Sequence, residues 1–314
     1  MAKRTKEKFV SDWLYNDYSS YLRNKYGTKV YRIGIDAGFT CPNRDGKSGT
    51  GGCIYCDAAG SRAAYANPQK TVHDQIETRI KFLKDTKSAS KFIAYFQAFT
   101  NTYAPVEKLR SIYDTVKDFQ DIVGLSIGTR PDAVDREKLE LIASYTDRYD
   151  VWIEYGLQSI HNKTLETIRR GHNYDAFLKS YQMTKECGIK VCVHVILGLP
   201  GESREDMMAT AKTLTKLKVD GVKIHLLHVL KGSGLDKLHS EGRIKLLEQS
   251  EYVKLAAEFL EHLSKDIIIQ RLTGEGSKDS HIAPVWALDK MGTISQIGEE
   301  LKRKGSRQGK LVAH

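Results

Sequence analysis

Short β-rich runs alternate with amphipathic helical patterns along most of this chain, and that alternation restricts the fold more than any other feature. The runs are 29–36 (KVYRIGID), 91–97 (KFIAYFQ), 122–129 (IVGLSIGT), 151–158 (VWIEYGLQ), 190–198 (KVCVHVILG) and 221–229 (GVKIHLLHV). Between them, apolar residues recur at helical spacing, as in Val72, Ile76, Ile80 and Leu83, and again in Met207, Ala211, Leu214 and Leu217. Strands joined through helices lie parallel, and right-handed crossovers curl the sheet toward a barrel. The expected fold is α/β, a partial (βα)6 TIM-like barrel. A seventh strand at 266–274 (DIIIQRLTG) follows a helix near 248–263, and a helical C-terminal extension completes the chain.

The expected organisation is a basic, aromatic extension at 1–24, the partial barrel at 25–245, and a C-terminal extension at 246–314 that closes the barrel. The last of these carries the basic run Lys302-Arg303-Lys304-Gly305-Ser306-Arg307. Trp13, Tyr15, Tyr18 and Tyr21 crowd the first segment. They could stack on nucleic-acid bases, but docking on the open edge of the barrel is the preferred reading.

Hydrophobic residues make up 40% of the 314, enough to bury a core and to exclude wholesale disorder. No uncharged apolar run approaches the ~18 residues of a membrane span, and MAKRTKEKFVSDW contains no apolar signal region. A cytoplasmic protein is expected. The 49 Lys and Arg against 39 Asp and Glu leave a charge of +10. Such an excess favours a polyanionic partner such as RNA, although a soluble basic enzyme has the same composition.

Three of the five cysteines fall within sixteen residues, in Cys41-Pro-Asn-Arg-Asp-Gly-Lys-Ser-Gly-Thr-Gly-Gly-Cys53-Ile-Tyr-Cys56. Glycines let such a loop wrap closely around an inorganic group, and thiolates suit zinc or iron–sulfur clusters. A structural zinc site normally closes with four protein ligands, and no fourth cysteine lies nearby. Three thiolates therefore suit a four-iron cluster with one iron left open. The alternatives are a Cys3His zinc site using His73, or cysteines without a ligand role. Cys187 and Cys192 read as buried small hydrophobes.

In parallel barrels functional groups gather at the C-terminal ends of strands, and polar residues recur there: Gln97, Asn101 and Thr102; Thr129, Arg130 and Asp132; Gln158; His194, followed by Gly198 to Glu202. His228, Lys231, Arg271 and Glu275 continue the pattern as candidate substrate groups. All point to one site over the barrel mouth.

Seven blocks in fixed order sharpen this reading: GIDAGFTCPNRDG, GGCIYC, YFQAFTNTYAP, IGTRPD, EYGLQSIHNKTLETIRRGH, VILGLPGE and HLLHVLKGSGL. Over roughly residues 25–275 the chain resembles radical S-adenosylmethionine (SAM) enzymes of the branch that includes the elongator catalytic subunit and anaerobic coproporphyrinogen oxidase. Within that branch it is most similar to the small YtqA/YhcC-like proteins. Most radical SAM proteins space their cysteines C-x3-C-x2-C; the first gap here is eleven residues, as in the stretched elongator-like loop.

The resemblance implies a 4Fe-4S cluster on Cys41, Cys53 and Cys56, and SAM as second cofactor. It implies that the stretch from Gln97 through Asn101 and Thr102 meets the amino end of SAM, although the usual Gly-Gly-Glu is absent. Gln158 resembles a glutamine near the cofactor, Arg170 the arginine that meets its carboxylate, with Arg169 adjacent. His194 occupies the place of a ribose-contacting residue, and Gly198 to Gly201 that of a backbone approach to the adenine. The implied substrate is the wobble uridine of tRNA, converted from 5-carboxymethylaminomethyl-uridine to 5-aminomethyl-uridine, with flavodoxin or ferredoxin as electron donor and no membrane. No acetyltransferase-like stretch follows the barrel, so full elongator chemistry is not expected. The competing readings are an oxidase or decarboxylase of a small molecule such as a porphyrinogen, and a non-catalytic RNA-binding protein.

Overall fold

The computed structural model describes residues 14–60, 62–274 and 279–312. Its strands are β1 (Val30–Ile35), β2 (Lys91–Phe96), β3 (Ile122–Thr129), β4 (Asp150–Gln158), β5 (Lys190–Leu197), β6 (Gly221–Leu226), β7 (Val229–Leu230), β8 (Ile268–Arg271) and β9 (His281–Ala283). Seven of them form one sheet in the order β1-β2-β3-β4-β5-β6-β8, and every neighbouring pair is parallel. This is the expected partial barrel with its seventh strand.

One expected strand is divided. Regular pairing of 221–229 stops at Leu226, where the His228 ring turns back to the Leu226 carbonyl at 3.1 Å. The chain restarts as β7, which pairs with β9 in an antiparallel ribbon.

The helices lie where the apolar spacing put them, among them Val72–Lys87, Arg204–Leu217 and Gln249–Glu261. Side chains fix their starts: Thr71 accepts from the Asp74 N–H, and Ser203 forms a reciprocal capping box with Asp206. Helix Gln249–Glu261 packs against the final helix, Lys290–Arg303.

Side chains alternate across each strand. The outward set, including Phe96, Ile127, Tyr155, Val193 and Ile224, is buried against the helices. Of the inward set, the lowest layer holds Ile93, Trp152, Cys192 and Ile268, covered by Tyr18 and Leu22 of the helix Tyr18–Tyr26. Trp152 is fully buried, with edge-on contacts to Tyr18 and Tyr21 at 5.9 and 6.1 Å. The aromatic extension therefore docks, as preferred above, against the edge strands β1 and β8 at the open edge of the sheet, and it reaches further, across the N-terminal end of the barrel; Trp13 lies outside the described residues. Cys192 is fully buried there as a small apolar filler.

Asp150 pins that helix. It accepts hydrogen bonds from Lys190 at 2.5 Å and Tyr21 at 3.1 Å and pairs with Lys25 at 2.9 Å, while its own side chain is 1% exposed. Burial opposes its ionisation, but the bonds from Lys190 and Lys25 outweigh burial and hold its carboxyl below the ordinary range. A depressed folded value means that its stabilisation is complete above the unfolded value of about 3.9 and is lost as pH falls through the folded one. Hydrogen exchange is expected to show Tyr18–Tyr26 losing protection below about pH 4 before the strands do. Asp150→Asn is expected to show the same loss at neutral pH; full protection in that variant would refute the pinning role.

Candidate functional site

Strand β1 runs into a long loop that folds over the C-terminal ends of the strands. Gly51 and Gly52 sit at φ +78° and +79°, a conformation that costs glycine little. A Cβ on Gly52 would also approach Arg44 Nε to 2.9 Å. These turns bring Cys41, Cys53 and Cys56 onto the wall of a cavity of about 920 Å³. Arg170 Nη1 and Asn43 Nδ2 lie 3.5 and 3.4 Å from Cys53 Sγ. Burial works against the Cys53 thiolate, but Arg170, with help from Tyr55 and Arg130, outweighs it and holds the thiol below its ordinary value. Burial instead pushes Cys56 up to about 11.

A zinc ion with 2.3 Å Zn–S bonds would hold its sulfurs only about 3.8 Å apart. Among the described residues, a set of three ligand atoms within 4.8 Å of one another occurs only at His73, Asp74 and Glu77. The three cysteine sulfurs are spread wider than one zinc ion can span. His73 lies on the helix Val72–Lys87 with its ring on Phe119 at 4.8 Å. It takes no part in the cysteine site, so the Cys3His alternative is set aside.

Gln97, Gln158, Arg170 and His194 all line the cavity. Arg170 is buried and donates to the Gly156 carbonyl from Nε at 3.0 Å and Nη2 at 2.6 Å. Gly156 matters here, because a Cβ would lie 2.8 Å from Arg170 Nη2 and 2.9 Å from Gln158 Nε2. Arg169 is exposed and offers its carbonyl to Asn43 at 2.7 Å, so the register favours Arg170. Phe99, Gln158 and Arg169 adopt positive φ without being glycine. Such strain, about 1–3 kcal/mol per residue, concentrates at functional sites.

Two expected residues stay off the wall. Asn101 donates to the Gly128 carbonyl at 2.8 Å, and Thr102 bonds Thr129 Oγ1 at 2.6 Å and the Ala133 carbonyl at 2.7 Å. Both side chains are fully buried and brace the loop, which reaches the cavity through Gln97, Phe99 and Thr100. Of the candidate substrate groups, His228 and Arg271 line the cavity; Lys231 is exposed and outside it, and Glu275 lies outside the described residues.

A further layer, deeper than the strand ends, escaped the sequence reading. Glu154 accepts from His194 Nε2 at 2.9 Å and forms a close ion pair with Lys223, whose Nζ also bonds the Tyr95 hydroxyl at 3.1 Å. Burial opposes ionisation of Glu154, but Lys223, Arg32 and His194 overcome it and hold the carboxyl well below its usual range. Burial takes His194 down to about 4 despite Glu154, and burial with Arg32 takes Lys223 down to about 7. The available signal was the two-residue alternation: Glu154 shares a strand face with Gly156 and Gln158.

Residues 43–214 match the family described as Radical SAM superfamily, and residues 219–303 the Radical_SAM C-terminal domain. The chain belongs to the radical SAM superfamily. It is 40% identical to YtqA of Bacillus subtilis (strain 168) over 297 residues, 95% of this chain and 92% of that one. Over 154 residues it is 30% identical to a tRNA uridine(34) acetyltransferase of Methanocaldococcus infernus, covering 48% of this chain and 28% of that protein. In fold it is similar to the Elp3 structure from the same organism, with a TM-score of 0.66 and 18% identity, covering 89% of this chain and 64% of that one. As a radical SAM enzyme it uses a 4Fe-4S cluster and SAM, which sets aside the non-catalytic reading. The widely spaced thiols and the buried arginine beside them suit those cofactors. No helix among the described residues is long and apolar enough to cross a membrane.

Proposed function

We propose that this radical SAM enzyme acts on the wobble uridine of tRNA and converts 5-carboxymethylaminomethyl-uridine to 5-aminomethyl-uridine. The carboxymethyl methylene would lose a hydrogen atom to the deoxyadenosyl radical and then a proton and an electron, the electron returning to the cluster. Water would hydrolyse the resulting imine to the amine and glyoxylate. The observation that carries the reading is the likeness, over 48% of this chain, to a relative named for the uridine at position 34 of tRNA. The +10 charge agrees with a polyanionic substrate.

In this reading Cys41, Cys53 and Cys56 hold three irons of the cluster. When bound, cluster and SAM supply a 5′-deoxyadenosyl radical able to take hydrogen from an unactivated carbon. The chain's own residues orient the cofactor. Arg170, fixed by Gly156, offers its guanidinium to the SAM carboxylate; Gln158 and Gln97 offer amides at the same wall; Thr100 faces the amino end. Flavodoxin or ferredoxin would deliver the electron.

Mass spectrometry of tRNA nucleosides, with and without the gene, tests the proposal. Loss of the gene is expected to accumulate the carboxymethylaminomethyl nucleoside at the expense of its aminomethyl derivatives. An unchanged ratio would overturn the assignment.

A further inference from the structure

Apart from His194, which the resemblance places near the cofactor's ribose, the deep layer of the barrel is unused by the roles assigned above. Tyr95, Glu154, His194, Lys223 and His225 come from four different strands, and all line the same cavity as the cysteines. Arg271 joins them from β8, paired in register with Lys223. Lys223 is 1% exposed, and its Nζ is fixed between Glu154 and the Tyr95 hydroxyl. His225 lies one inward position further along β6, its ring 5.1 Å from that of His194, and its Nε2 is buried with no hydrogen-bond partner. Among the described residues, Glu154 is the one carboxylate of this layer, against Lys223 and Arg32.

Such a floor is poorly explained as filler. Apolar side chains fill the layer beneath it, and a buried polar atom without a partner costs free energy that a packed core avoids. Cations in a low-dielectric pocket with one counter-charge between them gain from an incoming anion. An incoming ammonium would meet the opposite balance.

We propose that this floor is a subsite for a carboxylate carried on the reacting side chain of the substrate, with Lys223 and His225 as its donors and Glu154 as the residue that positions Lys223. The inference rests on the wobble-uridine reading and deepens it. The carboxymethyl end of the substituent is the part seated at the floor, on the cavity that the cysteine loop also lines. The aminomethyl product has lost that carboxylate and presents an ammonium to a cationic floor, so the same groups that hold the substrate favour release of the product.

The test is a binding measurement on the reconstituted holoenzyme without reductant, so that no turnover occurs. The probes are anticodon stem-loop RNAs bearing carboxymethylaminomethyl-, aminomethyl- or unsubstituted uridine at the wobble position. The carboxymethyl form is expected to bind roughly 10- to 100-fold tighter than the other two, the range of a hydrogen bond to a charged group. Lys223→Met and His225→Phe are each expected to bring that preference to about twofold or less, leaving affinity for the unsubstituted RNA unchanged. His225→Gln, which keeps an N–H donor, is expected to retain most of it. Should Lys223→Met fail to fold, Glu154→Gln combined with Lys223→Met removes both members of the pair and serves in its place.

Equal binding of the three RNAs by the wild type would overturn the subsite, as would a preference that survives both the His225→Phe and the lysine-free variants. In either case a shift of the cellular tRNA nucleosides would leave the wobble reading standing. Absence of binding by all three RNAs, with unshifted nucleosides, would remove the wobble reading and the subsite with it.

Discussion

Cys53→Ala is expected to strip the protein of its iron and to abolish 5′-deoxyadenosine release, while the barrel stays folded. Cys53 is the most tightly held of the three thiols: it is 6% exposed, and Arg170 and Asn43 both aim donors at its sulfur. Two remaining thiolates are too few to hold a cubane cluster. Even changes outside the ligand shell of a metal site cost about 10- to 100-fold, so loss of a ligand is expected to exceed that range. The side chain belongs to none of the hydrophobic clusters of the barrel, so far-UV circular dichroism is expected to be unchanged. Iron counting and cofactor cleavage after anaerobic reconstitution read the result. Undiminished iron and cleavage would refute the ligand assignment.

The second large effect is on stability. Glu154→Gln is expected to destabilise the fold by about 3–5 kcal/mol, because it leaves Lys223 and Arg32 buried without their counter-charge. Lys223, already pushed down to about 7, sheds its proton in part and softens the loss. For a chain of this size about 2–4 °C accompanies each kcal/mol, so the melting temperature is expected to fall by roughly 6–20 °C. Adding Lys223→Met to Glu154→Gln is expected to restore part of that drop, since a neutral pair carries no stranded charge. An unchanged melting temperature in the single variant would refute the electrostatic account of this layer.

The strands, their parallel order and the cysteine loop were legible in the chain because each is written in local spacing. A run such as KVCVHVILG carries its own period of two, and three thiolates on sixteen residues stay close in any fold. Asn101 and Thr102 read as site residues from their position after a strand, yet they are fully buried in bracing the loop. The choice between Arg169 and Arg170 was equally hidden, since it depends on the carbonyl of Gly156, fourteen residues before Arg170.

The sequence by itself determined a parallel α/β half-barrel, a thiolate loop at its mouth and the family to which both belong. The tertiary structure decided that Glu154, Tyr95 and Lys223 meet beneath that mouth and that the N-terminal aromatic helix seals the other end. Spacing along one strand says which residues share a face, but which faces meet is set by pairing register between strands far apart in the chain: Glu154 and Lys223 are 69 residues apart and become partners only when the sheet curls.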